Sequence, residues 1–168
     1  MTASLFPSFG FDMIDSAVAN AAVREWGHDL GECHRPFATQ SFGLHREGQL
    51  VAVAMSASTV SATCGDWQRK ECVELVRCIR HPEHPLVMRV AVLLWMVLAP
   101  VAWSNAYWPV RMCVSYSNTT RGHDGKLYQL AGWKKWGKCR GGVAGGNWTR
   151  GKTYDDKVLW YYEPEKEA

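Results

Sequence analysis

The chain has 168 residues, 47% of them apolar and 21% charged, with a formal net charge of +3. That length suits one domain with a sizeable core, and the composition excludes a disordered tail, a collagen-like fibre and a multidomain machine. The charge is uneven: residues 111–152 carry nine Lys/Arg against one acid, Asp124, while the flanking segments carry a slight acidic excess. This suits a polyanion such as nucleic acid or a phosphorylated cofactor, or else a solvated basic face.

Residues 1–11, with Pro7 and Gly10, read as an irregular lead-in. A cap at Asp12 or Asp15 predicts a helix to about Trp26, with Ala17, Val18, Ala21 and Ala22 on its inner face. Residues 27–36 read as a loop. Two strand-like runs, 41–46 and 49–57, flank Glu47-Gly48 and predict a hairpin. Residues 63–70 read as a polar loop, and 71–80 alternate as a strand that puts Glu74 and Arg77 on opposite faces.

His81-Pro82-Glu83-His84-Pro85 then breaks the chain before its most apolar stretch, 86–103. Arg89 and Pro100 interrupt that stretch, so it reads as a buried helix rather than a membrane span. Residues 108–117 predict a strand, 118–125 a polar turn, and 126–131 a short helix stopped by Gly132. A strand start at 133–137, a glycine-rich loop at 141–151 and a last strand at 157–163 complete the order. The expected fold class is α+β, an α/β sandwich with helices packed on a mixed sheet, in one domain. There is no signal-peptide pattern, which predicts a cytoplasmic protein. The six cysteines include no C-x-x-C pair, so reduced thiols are expected and zinc-ribbon readings are weak.

Four groups of residues suit chemistry. Arg77, in Glu74-Leu75-Val76-Arg77, suits a phosphate or carboxylate, or else an internal salt bridge. The run 115–128 brings Ser115, Tyr116, Ser117, Asn118, His123, Asp124 and Tyr128 to the end of a strand. It suits a substrate or anion site, or else a capping turn with Tyr128 packed on the sheet. His28, His34, His81, His84 and His123 match no standard metal spacing, and no metal is expected. Finally, Lys134, Lys135, Trp136, Lys138 and Arg140, followed by Trp148 and Arg150, interleave cations with flat rings. Such a stretch suits a nucleic-acid strand, or else an edge strand whose lysines block aggregation. Neither a P-loop nor a dinucleotide-binding glycine motif occurs.

Two of these blocks carry a family resemblance. Glu74-Leu75-Val76-Arg77, followed by Ser115-Tyr116-Ser117-Asn118 and then Gly122-His123, Gly125 and Leu127-Tyr128, resembles the Mom family of bacteriophage DNA-modification proteins. The resemblance spans roughly residues 40–135. It implies a GNAT-like fold, mostly antiparallel, and transfer of a carbamoylmethyl group to the N6 amine of adenine in phage DNA, which protects that DNA from host restriction. It also implies that Arg77, Ser115, Asn118 and Tyr128 are catalytic, and that His34, with Glu74, Tyr116, His123 and Asp124, serves the substrate pocket. The implied partners are DNA and an activated acyl or glycyl donor, small or carried on RNA.

Two positions depart from the pattern. Asn118 stands where the family has Asp, and an amide takes up no proton near neutral pH. Residues 81–86 also lack the glycine turn with which GNAT proteins hold the pyrophosphate of acetyl-coenzyme A. The alternatives to DNA modification are a coenzyme A-dependent N-acyltransferase acting on a small amine or a protein, and a nucleic-acid-binding module without catalysis.

Overall fold

The computed structural model describes residues 8–139, 142–143 and 153–164. Seven strands form the main sheet: β1 (Phe9–Ile14), β2 (Thr39–Arg46), β3 (Gln49–Ala57), β4 (Cys72–Arg80), β5 (Met112–Asn118), β6 (Lys134–Cys139) and β7 (Lys157–Tyr162). Their order is β1-β2-β3-β4-β5-β7-β6, and only the β4–β5 pair is parallel. Three α-helices lie among the described residues: α1 (Ser16–Glu25), α2 (Val87–Ala106) and α3 (Lys126–Leu130). The α+β class and the mostly antiparallel sheet are as expected. The glycine-rich loop at 141–151 falls mostly outside the described residues.

Local chemistry explains most element boundaries. Asp15 caps α1, its carboxylate accepting from the Ala17 amide at 2.6 Å. Glu47 and Gly48 both take positive φ, 51° and 81°, which closes the β2–β3 hairpin in the twist that two-residue turns require. Three local expectations need correction. The lead-in forms the edge strand β1, because Phe9–Ile14 pairs antiparallel with Arg46–Ser41. The inner face of α1 is Ala19, Ala22 and Val23 rather than Ala17 and Val18, since α1 lies on β2 and β3 through that stripe. Residues 63–68 make a small hairpin, Thr63–Cys64 with Trp67–Gln68, over the α1 side of β5 and β7.

The main core lies on the other side of the sheet, under α2. Trp95 and Trp103 are wholly buried there with Phe42, Val73, Leu75, Trp133 and Trp160. Trp95 donates to Ser56 Oγ at 2.8 Å and stacks on Trp133 at 6.0 Å, while Trp133 donates to Met96 Sδ at 3.0 Å. The expectation of a buried helix holds for one face of α2. Val90, Leu93, Val97, Leu98 and Val101 are exposed. Among the described residues α2 is the one helix long and apolar enough to cross a membrane, and here it packs along the sheet.

The feature that positions the site is a bulge in β4. Met55 faces Arg77 and Ser56 faces Leu75, so Val76 is one residue more than β3 can match. Before the bulge Val73 and Leu75 point to the α2 side. After it Cys78 does so, while Val76 and Ile79 join the α1 core. Strict alternation predicts Glu74 and Arg77 on opposite faces, but the extra residue brings both to the α1 side. Pairing with β5 also stops here: only Cys72, Val73 and Glu74 face Met112, Cys113 and Val114. Beyond them the parallel strands separate.

Gly125, at the start of α3, closes one side of this opening. Its φ is +78°, and an added Cβ would lie 2.3 Å from Trp160 Cζ2. Gly122 has φ +80° with nothing within 4 Å of an added Cβ. Gly125→Ala is therefore expected to cost about 2 kcal/mol or more of stability, from strain and overpacking together. Gly122→Ala should cost about 1 kcal/mol, from strain alone. Urea unfolding of both variants checks the contrast.

Candidate functional site

A cavity of about 290 Å3 occupies the opening between β4 and β5. Its walls come from both faces of the sheet. Ser115, Ser117, Cys78, Met88 and Tyr128 lie on the α2 side, and Val76 and Tyr116 on the α1 side. His28, Asp29 and Leu30, together with residues 121–126, complete the lining. A sheet interrupted in this way leaves its backbone short of partners, so side chains take over.

Ser115 shows this directly. Its hydroxyl donates to the Leu75 carbonyl at 2.8 Å, at the first position where β4 and β5 no longer pair. Tyr128 Oη lies 2.8 Å from the same Ser115 oxygen. A serine hydroxyl has one proton, so with that proton on Leu75, Tyr128 is the donor to Ser115. The chain then runs Tyr128 to Ser115 to Leu75 carbonyl. Burial pushes the Tyr128 phenol up to about 12, against the opposing bond from Ser115. Tyr128 is thus a neutral phenol at neutral pH, fit to give a proton and not to take one. Ser115 and Tyr128, both expected at the site, come together as a pair.

Asn118 lines the cavity, but its amide is engaged at both ends. Its oxygen accepts from the Arg121 amide at 3.2 Å, and its nitrogen donates to Asp155 at 2.6 Å. Asp155 also accepts from Arg121 Nε at 3.2 Å, and its carboxyl is held below the usual range by these two bonds. The turn after β5 is pinned further to the lead-in of β7, with Thr119 Oγ1 on the Asp156 carbonyl and the Asp156 amide on Thr120 Oγ1. Asp124 caps the start of α3, accepting from the Lys126 amide at 2.9 Å. His123 meets Asp29 at 2.7 Å across the cavity mouth.

Arg77 stands elsewhere. Its guanidinium donates to the carbonyls of Gly31, Leu30, Glu32 and Val76, at 2.7, 3.3, 3.2 and 2.8 Å. It does not line the cavity. The phosphate-holding geometry expected for it is taken by backbone, and Arg77 instead anchors the 27–36 loop to β4. Glu74 is buried beside Arg35 at 3.3 Å, and burial pushes its carboxyl up despite that partner. Tyr116 reaches Cys64 Sγ at 3.2 Å, and burial, then that contact, raises its phenol. His34 is exposed, pairs with Glu32 at 3.1 Å and lies outside the cavity wall.

Lys134, Lys135 and Lys138 project from β6, the edge strand, and are exposed. Trp136 is half-exposed, but its ring packs on Gly65 and its indole nitrogen donates to Asp66 at 3.1 Å. Its position is fixed by the 63–68 hairpin and not free for stacking. Arg140, Trp148 and Arg150 lie outside the described residues. Among the described residues no three His, Cys, Asp or Glu side chains gather as metal ligands.

Sequence reading missed Asp29, Leu30, Cys78 and Met88 as cavity residues. Its treatment of His28 as one of several scattered imidazoles also needs revision. His28 Nδ1 accepts from the Leu30 amide at 3.2 Å, so its other ring nitrogen carries the proton. Burial, then Arg77, lowers its pKa to about 4. The native ring stays neutral where the unfolded one protonates, so His28 contributes stability above pH 6.5 that is lost as pH falls toward 4. His28→Gln should flatten stability between those limits. Thermal melts across that range, with an NMR titration of the ring, check it.

The fold has many solved relatives. The ribosomal-protein-S18-alanine N-acetyltransferase of Escherichia coli superposes with a TM-score of 0.62 at 10% identity, covering 96% of this chain and 97% of that one. Spermidine N-acetyltransferase of Vibrio cholerae gives 0.59 at 10% identity, covering 93% and 94%. The yncA protein of Salmonella typhimurium, solved with its cofactor acetyl-CoA, gives 0.60 at 13% identity, covering 95% and 96%. At these identities the likeness shows the fold, which is that of the GNAT acetyltransferases. No family model matches the chain. No curated protein matches it.

Proposed function

We propose that the protein is a transferase that moves a small acyl-derived group from an activated donor to an amine nitrogen, and that this amine is N6 of adenine in DNA. The hydroxyl chain from Tyr128 through Ser115, inside the opening between β4 and β5, carries the transferase reading. The amine lone pair attacks the electrophilic carbon of the donor. The bond from that carbon to the leaving group breaks, and its electron pair departs with the leaving group. Tyr128 supplies the proton that neutralises this group. Ser115 lies 2.8 Å from both Leu75 O and Tyr128 Oη, so its hydroxyl can turn from the carbonyl to the phenolate left behind. The proton shed by the amine passes to water, and the Tyr128 phenolate takes a proton back from water before the next turnover.

The DNA part rests on the Mom-like motifs and on the exposed lysines of β6. An adenine paired in duplex DNA must leave the stack to reach the cavity. In this reading Asn118 acts through the turn that it caps, and Arg77 is a positioning residue that holds the loop over the cavity.

The fold family implies acetyl-coenzyme A, and the segment before α2 argues against its pyrophosphate there. A helix start binds such a group through free backbone amides. Here Pro82 and Pro85 have none, the His81 amide bonds Val51 O, and the Glu83 and His84 amides bond His81. Five of six positions from 81 to 86 thus offer no free amide. A second reading, a coenzyme A-dependent N-acyltransferase for a small amine or a protein, is favoured by the names of the structural relatives. Calorimetric binding of acetyl-coenzyme A supports that second reading.

Nucleosides from plasmid DNA of cells expressing the protein should contain a modified adenosine by mass spectrometry. Tyr128→Phe should lower its yield about 100-fold or more while leaving DNA affinity unchanged. Lys134→Glu with Lys135→Glu should weaken DNA binding and flatten its salt dependence, measured by fluorescence anisotropy at several salt concentrations. Unmodified DNA together with unchanged affinity in the lysine variant counts against the DNA reading.

A further inference from the structure

One segment of the cavity wall is built differently from the rest. His28, Asp29 and Leu30 lie between Gly27 and Gly31, whose φ values are +74° and +63°. An added Cβ at either glycine meets nothing within 4 Å, so the left-handed backbone and not crowding sets these positions. Both outer ends are fixed. On one side the His28 amide bonds Val23 O at the end of α1. On the other, Asn20 clasps Cys33 through both backbone groups, at 2.8 and 3.2 Å, and Arg77 holds Leu30, Gly31 and Glu32.

The middle reaches across the cavity mouth to the 118–123 turn through the hydrogen bonds of Asp29. Its carboxylate meets His123 Nε2 at 2.7 Å, and its carbonyl accepts from Arg121 Nη1 at 3.1 Å. The far side of this contact is rigid, since Asn118, Asp155, Thr119 and Thr120 tie that turn to β7. Asp29 is about half-exposed, and its carboxyl is held down first by the bond from His123. His28 also faces it.

We propose that residues 28–30 form a strap over the cavity, latched by Asp29, and that a phosphate-type oxyanion releases it by taking the place of the Asp29 carboxylate on His123, beside Arg121. The Asp29 carboxylate and the incoming oxyanion compete for one donor, His123, so the strap opens when a ligand of that charge arrives. Either a polynucleotide backbone or a small phosphorylated ligand carries this chemistry. The inference needs no turnover and stands apart from the transferase reading.

Hydrogen exchange on the whole chain tests it, read at residues 28–31 by mass spectrometry. An exposed ion pair contributes little, so Asp29→Ala should speed exchange there about threefold to fivefold. Exchange in α1 and β5 should stay as in the native chain, which also shows that the variant folds. Inorganic phosphate added to the native chain, against chloride at equal ionic strength, should give the same acceleration and add nothing in Asp29→Ala. A short oligonucleotide acting at a lower phosphate concentration than inorganic phosphate identifies the backbone as the source. Equal potency identifies a small ligand. Unchanged exchange in Asp29→Ala overturns the latch. Unchanged exchange of the native chain in both phosphate and oligonucleotide overturns release by an anion, and this arm decides the matter if the variant does not fold.

Discussion

The site exists because β4 has one residue that β3 cannot match. Val76 has no partner across the ladder, and the strand answers by turning Val76 and Arg77 to the same side. Just ahead of that residue β4 parts from β5. The parallel ladder ends after Glu74 and Val114, and the cavity is the gap that follows. The backbone hydrogen bonding lost there is what Ser115 restores at the Leu75 carbonyl, and Tyr128 reaches the cavity by bonding to Ser115. The catalytic hydroxyls of the proposed mechanism are therefore also the groups that repair the sheet.

Much of this was legible where the signal is local. The β2–β3 hairpin shows as Glu47-Gly48 between two apolar runs, and the structure gives both residues the positive φ that such a turn needs. The polar run from 115 to 128 is contiguous in sequence, so a strand end, a turn and a helix start sufficed to gather Ser115, Asn118 and Tyr128. The bulge was not legible. Residues 72–80 alternate well enough to read as a regular strand, and only pairing with β3 shows that Val76 is extra. This reversed the relation of Glu74 to Arg77. Strand β1 was hidden for a different reason. As an exposed edge it has little need of alternating apolar residues, and Gly10 suggests a break.

Long-range contacts were the least visible. Asp29 meets His123 across 94 positions, and nothing in either neighbourhood names the other. Arg77 illustrates the same limit. Its motif suggested an anion ligand, but the loop that it faces presents backbone carbonyls, and a guanidinium satisfies those equally well. The resemblance to the Mom family speaks to residue types at the site, and the solved relatives speak to the fold. Neither names the donor, and the amide inventory before α2 is the closest physical statement about it.

The interrupted ladder also divides the sheet mechanically. Strands β1 to β4 form one plate and β5 to β7 another, joined edge to edge by three residue pairs. Helix α2 packs on the first plate, along β2, β3 and β4. Trp95 fastens both plates, with its indole nitrogen on Ser56 of β3 and its ring on Trp133 at the foot of β6. The packing that joins the plates thus runs through a side chain outside the cavity lining, and tuning of this transferase-fold protein need not begin at the residues that line its cavity.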